Sequence, residues 1–290
     1  MNPASLLQEK NTTASAGWLA QLTLGFAQNN SPSPISRSRI KYSRHIGPLR
    51  VQRPFYPEGN LAHIYILHPP GGVVGGDQLQ ITLEVTDKAQ VLCTTPGSGK
   101  FYLSAGEWAS LQQTFCVKAG ASLEWLPQEN ILFAGARLRV RTRIELEDDA
   151  VFIGWDVSCL GRPASHERFE HGAFDSRLSF YHNQTLLLVE SQRVLDRKTL
   201  SAAAGLRDHP IQATLLAFPC NEDHLETVRE YLTKNGASTP LGVTLIDGLL
   251  VVRGLGNNSE SLKRKLTEIW RILRPKLLDR TAVPPRIWAT

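Results

Sequence analysis

Three carboxylates stand where the surrounding chain offers them little water. Asp156 sits in VFIGWDVSCLGRP, a run whose two alternating faces are both apolar. Glu190 ends LLLVE on the face shared by Leu186 and Leu188, and Asp77 closes the glycine-rich stretch HPPGGVVGGD. A bare carboxylate withdrawn from water costs several kcal/mol, so it must be paired, hydrated or bound to a metal. These positions are where the chain could do chemistry. For Asp156 the plainest alternative is a structural ion pair, with Arg162 the nearby candidate.

Two other stretches imitate phosphate loops and fail on spacing. A dinucleotide loop needs G-x-G-x-x-G between a strand and a helix, so that the phosphate meets the helix N-terminus. Here GGVVGG is followed by a strand pattern. TTPGSGKFY resembles a P-loop, but Thr94 stands where the first glycine belongs and Phe101 where Ser or Thr belongs. A nucleophile elbow around Ser98 is ruled out by Pro96 at the first glycine position. The glycine pairs around Val73 and Val74 point instead to a crossing where backbones, or a partner, approach closely. No H-E-x-x-H occurs, and His166 and His171 are five residues apart, which faces them apart in a helix or a strand. Cys93, Cys116, Cys159 and Cys220 form no C-x-x-C, and three lie in apolar runs, as small buried hydrophobes do.

The elements that must position these residues are mostly strands. Leu79, Ile81, Leu83 and Val85 alternate with polar residues, as do Leu138, Val140, Ile144 and Leu146. That period of two belongs to half-buried strands. Shorter runs at 62–67, 121–125, 151–157 and 178–181 continue it, with turn residues between them. An antiparallel or coiled all-β body follows, with no helix before about residue 205. The last third differs. Residues 221–235 carry Leu225, Val228 and Leu232 on one helical face with acids in the first turn, and Asp247-Gly248 marks a hairpin in VTLIDGLLVV. Residues 259–273 place Leu262, Leu266, Ile269, Trp270 and Leu273 on one stripe that Pro275 should end.

The chain has 290 residues, 42% hydrophobic and 20% charged, which describes a folded globular protein with a net charge of +5. The basic excess is local. No acid occurs between Ser31 and Pro57, where Arg37, Arg39, Lys41, Arg44, Arg50 and Arg53 fall. Such a segment suits a solvated strand pair, an acidic protein partner or nucleic acid. No aromatic interleaving supports nucleic acid, and no apolar run reaches the length of a membrane span. The N-terminal residues are polar and lack a signal-peptide core, so a cytoplasmic protein with a disordered segment 1–16 is expected.

HPPGGVVGGD, TTPGSGKFY, LEWLPQENILFAGA, WDVSCLGRP and the closing PPRIWAT together resemble the UreD (or UreH) urease accessory proteins, over about residues 17–290. The resemblance implies a mainly β fold. A coiled, superhelical sheet body (17–205) would carry a C-terminal strand–helix–hairpin–helix unit (206–290) in one continuous domain. It also implies a chaperone rather than an enzyme, binding UreF, UreG through UreF, and apo-urease, with a homodimer of the UreD–UreF–UreG complex compatible with it. Nickel in transit, and no tightly bound cofactor, is the cargo. Asp77, Asp156 and Glu190 match positions on the nickel path, and Ser98 a position on the tunnel lining or rim. Gln78 stands where some members carry a second acid, so a paired-carboxylate site at Asp77 does not carry over. The rival reading is a basic-surface scaffold or nucleic-acid-binding β protein without a metal role.

Overall fold

The computed structural model describes residues 17–29, 36–235 and 240–289. The segment 1–16 lies outside them, as does the start of the basic stretch.

A seven-residue pattern sets the architecture: VTDKAQV (85–91), VKAGASL (117–123) and LEDDAVF (146–152). In each, the alanine at position five is buried. Its N–H donates to the carbonyl three residues earlier: Ala89 to Thr86 at 2.9 Å, Ala121 to Lys118 at 3.0 Å, Ala150 to Glu147 at 2.9 Å. These tight turns need left-handed backbone, which falls on Asp87 and Lys88, on Gly120 and on Asp148. The turns stack, Lys118 N–H donating to Val85 O and Glu147 N–H to Val117 O. Each turn passes the chain from one sheet to the other, so successive strands within a sheet run parallel and the body is a coil.

Among the described residues the strands form two sheets, of seven and eleven strands. The first sheet runs in space Thr185–Val194, Ala173–His182, Arg137–Leu146, Ala109–Val117, Gln78–Val85, Leu19–Gln28, Ser38–Ile46. Its interior pairs are parallel and its two outermost pairs antiparallel. In the second sheet Val151–Arg162 lies between Ser122–Trp125 and Ile211–Phe218. The hairpin strands Leu241–Ile246 and Leu249–Gly256 continue that sheet, so the tail's strands share it with the coil.

Helices α2 (Glu222–Asn235) and α3 (Ser259–Leu278) cover the second sheet's outer face, making three layers. Val151–Arg162 is therefore the middle layer. Phe152 and Leu160 join the core between the sheets, while Ile153, Trp155 and Val157 join the core under the helices. Its apolar character on both faces follows from this position.

Three sequence expectations need correction. The run 151–157 extends to Arg162, because both cores continue to bury it. A five-residue helix α1, Arg197–Ser201, precedes residue 205, and Asp196 caps it by accepting from Thr199 N–H at 2.8 Å. Helix α3 does not stop before Pro275 but runs through it to Leu278. Leu277 and Leu278 still pack against the second core, and that burial outweighs the one helical hydrogen bond a proline removes.

Cys93, Cys159 and Cys220 are buried and all four cysteines are free. The basic strand Ser38–Ile46 is an edge whose exposed charges guard it against pairing with another chain. Arg37 and Arg44 stack on this chain's own Tyr56 and Tyr42. No helix among the described residues is long and apolar enough to cross a membrane.

Candidate functional site: a polar seam between the sheets

The inward phase of several strands breaks its apolar rule at the same level. In Ala109–Val117 the inward row reads Ala109, Leu111, Gln113, Phe115, Val117, and in Arg137–Leu146 it reads Leu138, Val140, Thr142, Ile144, Leu146. Gln113 and Thr142 are direct neighbours in register, and the Thr142 hydroxyl donates to Gln113 Oε1 at 2.9 Å. The row continues through Leu178 to Glu190. Opposite, on the second sheet, Asp156 and Thr214 are register partners. A polar stripe thus crosses both inner faces of the sandwich.

Space follows the stripe. A cavity of about 270 Å³ extends from the glycine loop past Ser98 to Gln113, Asn130 and Asp156. A second, of about 50 Å³, is lined by Asp156, Ser158, Ser176, Glu190, Gln192 and Thr214. A third, of about 20 Å³, brings Gln113, Thr142, Asp156 and Thr214 together. Asp156 walls all three. One water needs about 10–15 Å³, so polar walls and room for water coincide here.

Among the described residues Asp156 has no ion pair. Arg162 lies six residues further along the same strand, about 20 Å away at 3.3 Å per residue. It pairs instead with Glu167, Nε to Oε2 at 3.0 Å, and stacks over Phe133 at 4.4 Å. Asp156 is not fully buried, and it lines the cavities on both sides of it. Asn130 Nδ2 donates it a long hydrogen bond, at 3.4 Å. Burial pushes its pKa up to about 6, against the opposing pull of the Val157 amide and Asn130, and with a further push from the Glu190 charge.

Glu190 closes the second cavity. Its Oε1 accepts from Arg253 Nε at 2.8 Å and from the Thr214 hydroxyl at 3.3 Å, while Oε2 is buried without a hydrogen-bond partner among the described residues. Ser98 lines the large cavity. It hydrogen-bonds Glu129, whose carboxylate also meets Lys263 at 2.6 Å. The sequence reading missed Gln113, Asn130, Thr142, Thr214 and, at the glycine-loop end, His68. The His68 ring stacks on Trp18 at 5.5 Å, and its Nε2 is buried with no hydrogen-bond partner among the described residues. Burial holds its pKa below the ordinary histidine value, with Asp77 pulling the other way. Among the described residues no group of three or more His, Cys, Asp or Glu could hold a metal ion together.

Asp77 is placed apart from the other three. It is 1% exposed and walls none of the three cavities. Its Oδ1 accepts from Trp18 N–H at 3.2 Å and its Oδ2 from Val74 N–H at 2.9 Å, tying the first strand to the glycine loop. The glycines serve the close approach read from the sequence. Val73 exchanges hydrogen bonds with Lys100 and Tyr102, and a Cβ on Gly72 would lie 2.8 Å from Lys100 O. Asp77→Ala strips two buried amides of a charged acceptor and is expected to cost about 2–4 kcal/mol. A urea-denaturation midpoint equal to that of the unmodified protein would show that Asp77 holds nothing together.

Known proteins share this sequence along nearly its whole length. The profile of the UreD urease accessory protein family matches residues 19–289. A protein of Alcanivorax borkumensis named urease accessory protein UreD is 50% identical over 246 residues, covering 85% of this chain and 84% of its own. Proteins of the same name from Pseudomonas putida and Aliivibrio fischeri are 45% and 41% identical. They cover 95% and 97% of this chain, and 95% and 99% of their own.

Proposed function

The chain belongs to the UreD family of urease accessory proteins, accessory factors rather than enzymes, and we propose that it carries nickel to apo-urease along the polar seam. In this reading it works in the cytoplasm as a chaperone in complex with UreF and, through UreF, with UreG. A homodimer of that complex suits the reading. Nickel is cargo, and no cofactor stays bound.

The observation that carries the proposal is the sharing of Asp156 by cavities that reach Ser98 and the glycine loop on one side and Glu190 on the other. Ni²⁺ accepts imidazole nitrogen and carboxylate oxygen, but a conduit must release what it takes up. Here the donors are strung out: His68 at one end, Asp156 in the middle, Glu190 at the other. Each lowers the cost of a dication in the protein interior, and cavity water supplies the rest of its shell. Three such donors converging on one point would hold the ion instead.

Deletion of the gene in a urease-producing host, with the other urease genes intact, tests the role. Urease should accumulate but contain little nickel and show little activity. Normal nickel content in the purified urease would overturn the proposal.

A further inference from the structure

On the outer face of the first sheet, away from the seam, lies a concavity of about 570 Å³ whose walls include Arg137, Arg193 and His171 and no carboxylate. Trp108 forms its platform, with the Arg137 guanidinium 5.0 Å and the Arg139 guanidinium 4.9 Å from the indole centroid. Such stacking holds a guanidinium in place without using its hydrogen-bond donors.

Charge is unbalanced here. Of the acids near the concavity, Asp175 is engaged by Arg141 at 2.9 Å and Arg139 at 3.7 Å, and Glu170 lies 3.9 Å from Arg197. Glu107 falls between the lining residues Gly106 and Trp108 without lining the concavity itself. Arg193 sits opposite Asp175 in register but makes no ion pair with it within 4 Å. Arg137 Nε is buried and has no hydrogen-bond partner among the described residues. Further along the strand of Arg137, Arg141 is the register partner of Arg177, a like-charge pairing that costs stability. A buried donor left empty beside uncompensated cations is costly unless a ligand completes it. Leu103, 65% exposed, and Leu195, 47% exposed, also wall the concavity, which adds apolar surface beside the charge.

We infer that this concavity is a docking site for an acidic, leucine-rich type of segment on a protein partner, whose carboxylate forks onto Arg137 and Arg193. A planar carboxylate matches the guanidinium edge bidentately. The two exposed leucines give such a segment's apolar side chains a surface that a free inorganic anion cannot use. This site goes beyond the proposed nickel path, and its failure would leave that path untouched.

The test uses the full chain and a fluorescein-labelled peptide, Gly-Ser-Leu-Glu-Glu-Leu-Ser-Gly, read by fluorescence anisotropy. Its counterpart with glutamine in place of glutamate, and inorganic phosphate as competitor, complete the set. The unmodified protein should bind the glutamate peptide, more weakly as salt rises, and should not bind the glutamine one. Arg137→Gln with Arg193→Gln should weaken binding by about tenfold or more. Arg193→Gln alone, at an exposed position outside the Trp108 stack and with no like charge placed opposite Asp175, should weaken binding with an unchanged melting temperature. Equal binding by the unmodified protein and the variants, or no binding at all, overturns the proposal. Displacement by phosphate at concentrations equal to the peptide's also overturns it, by showing a site for small free anions.

Discussion

Arg274→Met should destabilise the protein by about 3–5 kcal/mol, because it leaves two buried carboxylates without their cation. Arg274 is 0% exposed, on the inner side of α3. Its Nη1 meets Glu58 Oε2 at 2.6 Å and its Nη2 meets Glu58 Oε1 at 2.9 Å. Toward Glu124, Nε reaches Oε2 at 2.9 Å and Nη2 reaches Oε1 at 3.0 Å. Trp270 Nε1 donates to Glu124 Oε2 at 2.6 Å, and His63 Nε2 lies 2.6 Å from Glu58 Oε1. One side chain thus ties α3 to Glu58 and to the strand Ser122–Trp125, segments distant in sequence. Burial opposes the Glu58 charge, yet its contacts with His63 and Arg274 prevail and hold its carboxyl below the ordinary value. A depressed carboxyl contributes stability that is present above the unfolded-state pKa and is lost as pH falls through the folded one. Acid should therefore loosen the helical layer in the unmodified protein. Urea unfolding followed by circular dichroism measures the loss. Adding Glu58→Gln and Glu124→Gln to Arg274→Met should recover part of it, since no buried charge then remains. An Arg274→Met protein as stable as the parent would mean that the network is not a structural tie.

The strands of this fold were legible because their period of two is clean, as in Gln78–Val85. The coil was only half legible. The repeat that builds it is seven residues long and conserves little more than a buried alanine and a left-handed turn. Its recurrence in VTDKAQV, VKAGASL and LEDDAVF emerges once the turns are seen to stack. The seam was readable in part for the same reason. Asp156 and Glu190 stood out as charges among apolar residues, whereas Gln113 and Thr142 are ordinary in composition. What marks them is phase: each takes an inward position in its strand, and they are neighbours across the sheet. Register is not written in either strand alone, so that signal needed the pairing. Pro275 misled for a related reason, since its local cost is fixed while the burial that overrides it depends on the tertiary structure.

Asp156 is where the nickel-path proposal is most exposed to failure. Asp156→Asn keeps the volume and removes the charge, while Asp156→Leu fills and dries the junction of the cavities. Each additional 1.4 kcal/mol or so on a dication's barrier slows passage by about tenfold. Nickel delivery should therefore fall by about that much in Asp156→Asn and further in Asp156→Leu, with complexes of UreF and apo-urease formed as before. Stability should move the other way. The folded carboxyl titrates near 6, above its ordinary value of 3.8, so the native state binds the extra proton in between. By linkage the protein loses stability as pH rises through that interval. Asp156→Asn should then be more stable than the parent at pH 7, by at most about 3 kcal/mol, and equal to it below pH 4. A variant that is more stable, assembles normally and delivers less nickel separates a conduit carboxylate from a structural one, whose loss would weaken folding and assembly together. Complex yield, urea midpoint and urease nickel content measured on the same preparations decide between them. Normal nickel content with both variants would remove Asp156 from the path.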